Sequence, residues 1–246
     1  MANFEKFITF QKGTFPIIIS VPHGGNLEIN DLPARKSGIL GPDKKTIELA
    51  TQLIDELNKL DENRQCSYII SKVPRSKIDL NRQKNEAFTP GSELALKIYR
   101  FYHAKIKEYI EYNLMNFKRS LLIDIHGFEK HKRPEGFRDV DIILGTNNLE
   151  SIYSKQIPKK DWDKNLRGRI VKRFIELGIP IAPGHQRRRE YVLTGGYITK
   201  TYGAKNIKSS QTIQIEFSDR VRIEDSDLRD LIVHTLVEIL HDESMV

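Results

Sequence analysis

The stretch FPIIISVPHGGN, residues 15–26, decides how this chain is to be read. Ile17, Ile18, Ile19 and Val21 form an almost unbroken β-branched run. Continuous apolar runs of this kind, without polar alternation, belong to strands covered on both faces, as in parallel sheets flanked by helices. Pro22 ends the run and Gly24-Gly25 supply a turn. Between them stands His23. A solvated turn histidine would account for that imidazole if it stood alone.

Further strand-like runs appear at 67–73, 120–125, 139–144 and 212–217. Helical spacing of apolar residues fills the segments between them, at 43–59, 92–117, 164–177 and 226–241. Strands alternating with helices predict an α/β fold, a three-layer sandwich whose mostly parallel or mixed central sheet is flanked by helices. One domain over residues 1–246 is the simplest organisation, with long loops expected at 127–138 and 180–199.

Composition narrows the function classes. The 246 residues are 39% hydrophobic and 30% charged, with charge spread along the chain rather than gathered in tails. The single cysteine, Cys66, excludes a disulfide framework and a thiolate zinc cluster, so a metal ion would sit on histidine and carboxylate. The N-terminus lacks an apolar core of signal-peptide length and no long apolar run is present. A cytoplasmic protein that does not span a membrane is therefore expected. The net charge of +7 fits weak nucleic-acid affinity or attraction of a small anionic substrate, and charge alone does not choose between them. Nucleic acid is a poor expectation, since RRREY offers just one pairing of basic run and aromatic residue.

Ligands of open α/β sheets gather at the carboxyl ends of strands. That rule selects His23, then Asn81 and Arg82 in SKIDLNR, then Asp124 and His126 in LLIDIHG, then Glu216 in TIQIEF. A second histidine leaving a second strand weakens the solvated-turn explanation of the first. Two imidazoles and a carboxylate make a catalytic zinc set with one open position. For the third ligand Asp43 is preferred over Glu28 and Glu48, because helical geometry turns it toward the same side as Ile47, Ala50 and Ile54. A helix-capping role for Asp43 is the competing assignment. Asp124 shares a strand face with His126 and suits either a ligand or a carboxylate orienting the site. Glu216 is a candidate general base, against the plainer reading of a solvent-facing residue on an edge strand. Arg82 either pairs with Asp79 or holds a substrate carboxylate with its guanidinium fork, and Arg75 is a possible helper. His103 and His234 read as packing or surface residues. His131 and His185 fall in the loops, and Arg187–Arg189 reads as a solvated patch.

In this order, VPHGG, GPDKKTIELA, SKIDLNR, LLIDIHG, TGGYIT and IQIEFS resemble the N-formylglutamate amidohydrolase family over about residues 15 to 220. The resemblance implies a phosphorylase/hydrolase-like α/β fold and one zinc ion per chain on His23, His126 and an acidic ligand matching Asp43. It further implies Asn81 and Arg82 on the substrate carboxylate, Glu216 as general base, and Gly196 and Tyr197 lining the pocket. The basic GHQRRRE stretch departs from the family pattern and puts the substrate more in question than the reaction. The implied function is zinc-dependent cleavage of the amide of an N-acyl acidic amino acid or a similar small carboxylate. The alternatives are a carboxypeptidase or cell-wall amidase on the same site, and a non-catalytic or nucleic-acid-binding protein on this fold.

Overall fold

A computed structural model of the chain describes residues 4–61, 63–133 and 135–245. The opening apolar run forms β2 (Ile17–Val21), with all five residues buried. Ile17, Ile19 and Val21 face one core and Ile18 the other, so the run is apolar throughout because both faces are covered. In chain order the other strands are β1 (Ile8–Gln11), β3 (Ser67–Ser71), β4 (Ser120–Phe128), β5 (Ile142–Gly145), β6 (Ile181–Ala182) and β7 (Ser210–Ser218). They form one sheet in the order β1-β3-β2-β4-β7-β5-β6.

The centre of the sheet, β3-β2-β4-β7, is parallel. β1 joins β3 antiparallel, and β5 joins β7 antiparallel. The sheet is therefore mixed around a parallel middle, as expected from the alternation of strands and helices. Two strands lie outside the sequence reading. β1 belongs to FITF, which is too short and too mixed to announce itself, and β6 has only two residues.

Helices α1 (Thr46–Leu60), α4 (Leu166–Glu176) and α6 (Ser226–Met245) cover one face, contributing Leu53, Phe174 and Leu236 among others. The long α3 (Glu93–Phe117) and the short α5 (Tyr197–Tyr202) cover the other with Ile98, Tyr102, Ile106 and Ile198. A further short helix, α2 (Lys84–Ala87), lies in the connection after β3. Full burial of each such aliphatic side chain contributes about 1.5–3 kcal/mol. Helix starts follow local chemistry: Ser92 accepts from the Ala95 amide at 3.3 Å, and Asn165 from the Gly168 amide at 3.0 Å. Cys66 is buried, and that burial pushes its thiol up to about 12, which keeps it protonated. Among the described residues no helix is long and apolar enough to cross a membrane.

The expected helix at 43–59 begins three residues later, at Thr46. Lys45, just before it, adopts a left-handed conformation with φ 62°. Asp43 therefore sits in the turn that enters α1. Its carbonyl accepts from the Thr46 hydroxyl at 2.7 Å, which leaves its carboxylate free to point elsewhere. The loop expected from 127 likewise starts later, because β4 runs on to Phe128.

Candidate active site

Four parallel strands end at one edge of the sheet, and register decides which side chains meet there. β4 pairs β7 so that Asp124 lies beside Gln214 and His126 beside Glu216, while Ser20 of β2 lies beside Asp124. Side chains at i and i+2 share a face, so Ser20, Asp124, His126, Gln214 and Glu216 line one patch of the sheet. The turn before α1 adds Asp43, and the connection after β3 adds Arg75, Asp79, Asn81 and Arg82.

His23 and His126 turn their Nδ1 atoms toward each other at 3.1 Å. Asp43 Oδ2 lies 3.2 Å from His126 Nδ1 and 3.5 Å from His23 Nδ1. Both outer nitrogens meet carboxylates: His23 Nε2 lies 2.7 Å from Asp79 Oδ1, and His126 Nε2 lies 2.8 Å from Asp124 Oδ2. A neutral imidazole so placed carries its proton on Nε2 and directs its Nδ1 lone pair inward. Two lone pairs and a carboxylate oxygen facing one point repel one another unless a cation stands between them. Tetrahedral ligands at the usual zinc bond length are about 3.3 Å apart, close to the spacing found here. Carboxylates behind the histidines are the arrangement that sets the tautomer and basicity of metal-bound imidazoles. His23, Asp43 and His126 thus fit a divalent ion, and all three are buried.

The electrostatics agree. Burial would depress His126, yet Asp124 and Asp43 drive its pKa well above the ordinary histidine value. Burial would raise Asp43, but hydrogen bonds and charge from His126 and His23 hold it well below the usual carboxylate range. The carboxylates of Asp124 and Asp43 that hold a proton on His126 give the site a negative potential that also favours a cation. Glu216 is pushed up chiefly by burial, since it lies in the interior of the sheet.

The structure assigns Asp79 a larger part than pairing with Arg82. Besides His23, it accepts from Arg75 Nε at 3.2 Å and from the Asn81 amide at 3.0 Å, and it lies 3.6 Å from Arg35 and 3.7 Å from Arg82. Arg75 also bonds Asp43 Oδ1 at 3.2 Å, so one guanidinium ties the carboxylate behind His23 to the carboxylate facing both rings. The Gly127 amide completes Asp43 at 3.1 Å, and the helix-capping assignment fails because that side chain is engaged away from α1. Glu48 is exposed and pairs with Lys45 at 2.8 Å, and Glu28 is exposed. Asp124 stands behind His126, where it also accepts the Ser20 hydroxyl.

Asn81 is buried, and its amide joins several pieces of the site. Its Oδ1 accepts from the Ile198 amide at 2.8 Å, and its Nδ2 lies 3.1 Å from His126 Nε2 and 3.4 Å from Gln214 Oε1. Gln214 in turn accepts from the Gly196 amide at 2.7 Å and donates to Glu216 at 2.7 Å. A Cβ on Gly196 would lie 2.2 Å from Asn81 Nδ2. The glycine of TGGY is thus required by the approach of Asn81. Arg82 remains half exposed at the cavity wall.

Arg222 was not anticipated at all. It is buried, with Nε donating to Phe217 O at 3.0 Å, Nη2 to Phe128 O at 2.9 Å, and Nη1 to Lys44 O. Those carbonyls lie next to Glu216, two residues beyond His126 and next to Asp43. A Cβ on Gly127 would lie 2.4 Å from Arg222 Nε, so only glycine admits the guanidinium there. Nothing in RVRIE marks this arginine; two of its three partners, Lys44 and Phe128, come from distant segments.

His131, His185 and His234 are exposed, and His103 packs between Tyr99, Tyr197 and Tyr202 on the α3 side. Arg187, Arg188 and Arg189 are exposed, and Arg187 pairs with Asp163 at 2.8 Å. The next residue, Glu190, is buried. It takes the Thr146 and Asn148 amides at 2.8 and 2.9 Å and pairs with Arg167 at 2.9 Å, anchoring this loop to the end of β5.

No protein-family model matches the sequence, and no curated protein matches it. Similarity emerges from the structure. N-formylglutamate amidohydrolase from Ralstonia eutropha JMP134 superposes with a TM-score of 0.64 at 16% identity, covering 97% of this chain and 99% of that one. A protein of Agrobacterium tumefaciens superposes with a TM-score of 0.62 at 12% identity, covering 96% of this chain and 94% of that one. Over nearly its whole length, this chain has the fold of N-formylglutamate amidohydrolase.

Proposed function

We propose that the protein is a zinc-dependent amidohydrolase that cleaves the amide of an N-acyl acidic amino acid or a similar small carboxylate, with one zinc ion per chain. The observation that carries this reading is the convergence of His23 Nδ1, His126 Nδ1 and Asp43 Oδ2 beside a buried Glu216, on one wall of an open cavity. A zinc ion held by these three residues supplies a Lewis acid that acidifies water and polarises a carbonyl.

Glu216 takes a proton from the attacking water as its oxygen bonds the carbonyl carbon. It returns that proton to the nitrogen as the C–N bond breaks, releasing an amine and a carboxylic acid. Burial raises its pKa, which makes it a better proton acceptor than a solvated carboxylate. Gln214 holds one Glu216 oxygen at 2.7 Å and fixes the direction of attack. Arg82 reaches the cavity with its guanidinium available for a substrate carboxylate, which orients the amide and lowers the entropy cost of reaction. Asn81 supports that wall and holds the segment of Gly196 and Tyr197 against it. A chain with one cysteine and no disulfide framework fits a reducing, cytoplasmic setting.

The test joins metal content to turnover. Wild-type protein purified without added metal is expected to carry about one zinc per chain and to release glutamate from N-formyl- or N-acetyl-glutamate. His126→Ala is expected to lose both. Protein that holds no metal, and takes up none when zinc is added, would overturn the proposal. Release of C-terminal residues from peptides, with N-acyl amino acids untouched, would favour a carboxypeptidase on the same site. Asp79→Asn retains the shape behind His23 but removes its charge. Zinc affinity measured by chelator competition should then fall about 10- to 100-fold.

A further inference from the structure

Among the described residues ten large apolar side chains are exposed, and five of them, Ile39, Leu40, Phe137, Tyr191 and Val192, fall in the loops around the cavity. Ile39, Phe137, Tyr191 and Val192 line it directly, at 59, 43, 72 and 61% exposure. They arrive on three separate connections, β2 to α1, β4 to β5 and β6 to α5, so their gathering is a product of the fold and not of one greasy loop. Apolar surface concentrated around a catalytic mouth marks a binding site, whereas scattered apolar side chains need no explanation.

The rim is also held in place. Val192 has φ 67°, a conformation that a β-branched residue adopts at a cost of about 1–3 kcal/mol. The adjoining Glu190 is tied to the end of β5 by hydrogen bonds from Thr146 and Asn148. On the β4–β5 loop the Arg133 guanidinium lies 5.7 Å from the ring centroids of both Phe128 and Phe137, setting positive charge against an aromatic wall. Arg82 and Lys200 add positive charge to the same cavity.

Size points the same way. The cavity holds about 640 Å³, within the roughly 300–1,000 Å³ that accommodates a drug-sized ligand. A formyl-capped amino acid leaves much of that space, and all of the apolar rim, to water.

Building on the amidohydrolase reading, we infer that the substrate is amphiphilic: an N-acyl amino acid or short peptide amide whose carboxylate meets Arg82 and whose acyl group carries an aromatic or branched apolar moiety covered by Phe137, Tyr191 and Val192. These three residues set specificity.

The inference is tested by binding, apart from turnover. Zinc-loaded Glu216→Gln is titrated by calorimetry with N-formyl-L-glutamate and with N-phenylacetyl-L-glutamate. The phenylacetyl compound is expected to bind at least ten-fold tighter. In Tyr191→Ala/Val192→Ala and in Phe137→Ala, each built on that background, the ratio is expected to fall below three. These side chains are exposed, so the fold does not depend on them, and the circular dichroism spectrum checks this. Equal affinities in the parent, binding of neither compound, or an unchanged ratio in both variants would each overturn the inference. So would self-association of the parent that disappears in the Tyr191 variant without any effect on ligand preference, since the rim would then be a subunit contact. Tighter binding of the phenylacetyl compound by a wild-type protein that hydrolyses neither would instead overturn the amidohydrolase reading and leave the amphiphilic site standing.

Discussion

Replacing Glu216 by glutamine is expected to lower turnover about a thousand-fold or more while leaving close to one zinc per chain. The substitution retains volume and the contact with Gln214, whose amide donates to Glu216 Oε1 at 2.7 Å. It touches none of the three inward-facing donors, His23 Nδ1, His126 Nδ1 and Asp43 Oδ2. What disappears is a buried carboxylate able to accept and return a proton. General acid–base groups contribute about 10²- to 10⁴-fold, and in the proposed reaction this one performs both transfers. Zinc content and steady-state kinetics on the same preparation check the result. Undiminished turnover would remove Glu216 as the base, and loss of zinc would recast it as part of the metal site.

The second large effect concerns Arg222. Arg222→Met is expected to cost about 3 kcal/mol or more of folding stability, because a buried charged donor that serves several backbone acceptors is removed. Three carbonyls, of Lys44, Phe128 and Phe217, lose their donor at once, and each unmet buried acceptor carries a penalty of about 1–3 kcal/mol. Those carbonyls flank Asp43, His126 and Glu216, so zinc affinity should weaken together with the melting temperature. Lysine is not expected to rescue either property, because a point-like ammonium lacks the planar fork that reaches three carbonyls. Denaturant melts and chelator competition on Arg222→Met and Arg222→Lys check both expectations. Stability within 1 kcal/mol of wild type would show that water replaces the guanidinium.

Both effects depend on residues of very different legibility. Glu216 stands out in TIQIEF because it follows a strand-like run at the edge where ligands gather. Its surroundings do not stand out. The alternation of Thr212, Gln214 and Glu216 with Ile213, Ile215 and Phe217 suits an edge strand with a wet face. In the fold β7 lies between β4 and β5, and the polar face is buried beside His126 and the segment of Gly196. The Asp43 carboxylate was singled out by assuming that α1 already began there. The side chain does reach the histidines, but from a turn, by way of a left-handed Lys45 that helical periodicity could not foresee.

What the sequence determined by itself is everything encoded by near neighbours in the chain. Apolar runs of strand length, helical spacing between them and small turn residues at the exits were enough for an alternating α/β sheet, with His23 and His126 placed at its carboxyl edge. Those signals have periods of two and 3.6 residues, and a reader of the chain meets them within one turn or one strand. Tertiary structure alone decided the antiparallel addition of β1 and β5, the three-way use of Arg222, and the role of Asp79 as the carboxylate behind His23. These depend on pairings between residues 56 and more positions apart, except where Arg222 meets the carbonyl of Phe217 near the end of the preceding β7. A buried polar group must find partners wherever the fold brings them, and no local pattern announces which distant carbonyl or carboxylate that will be.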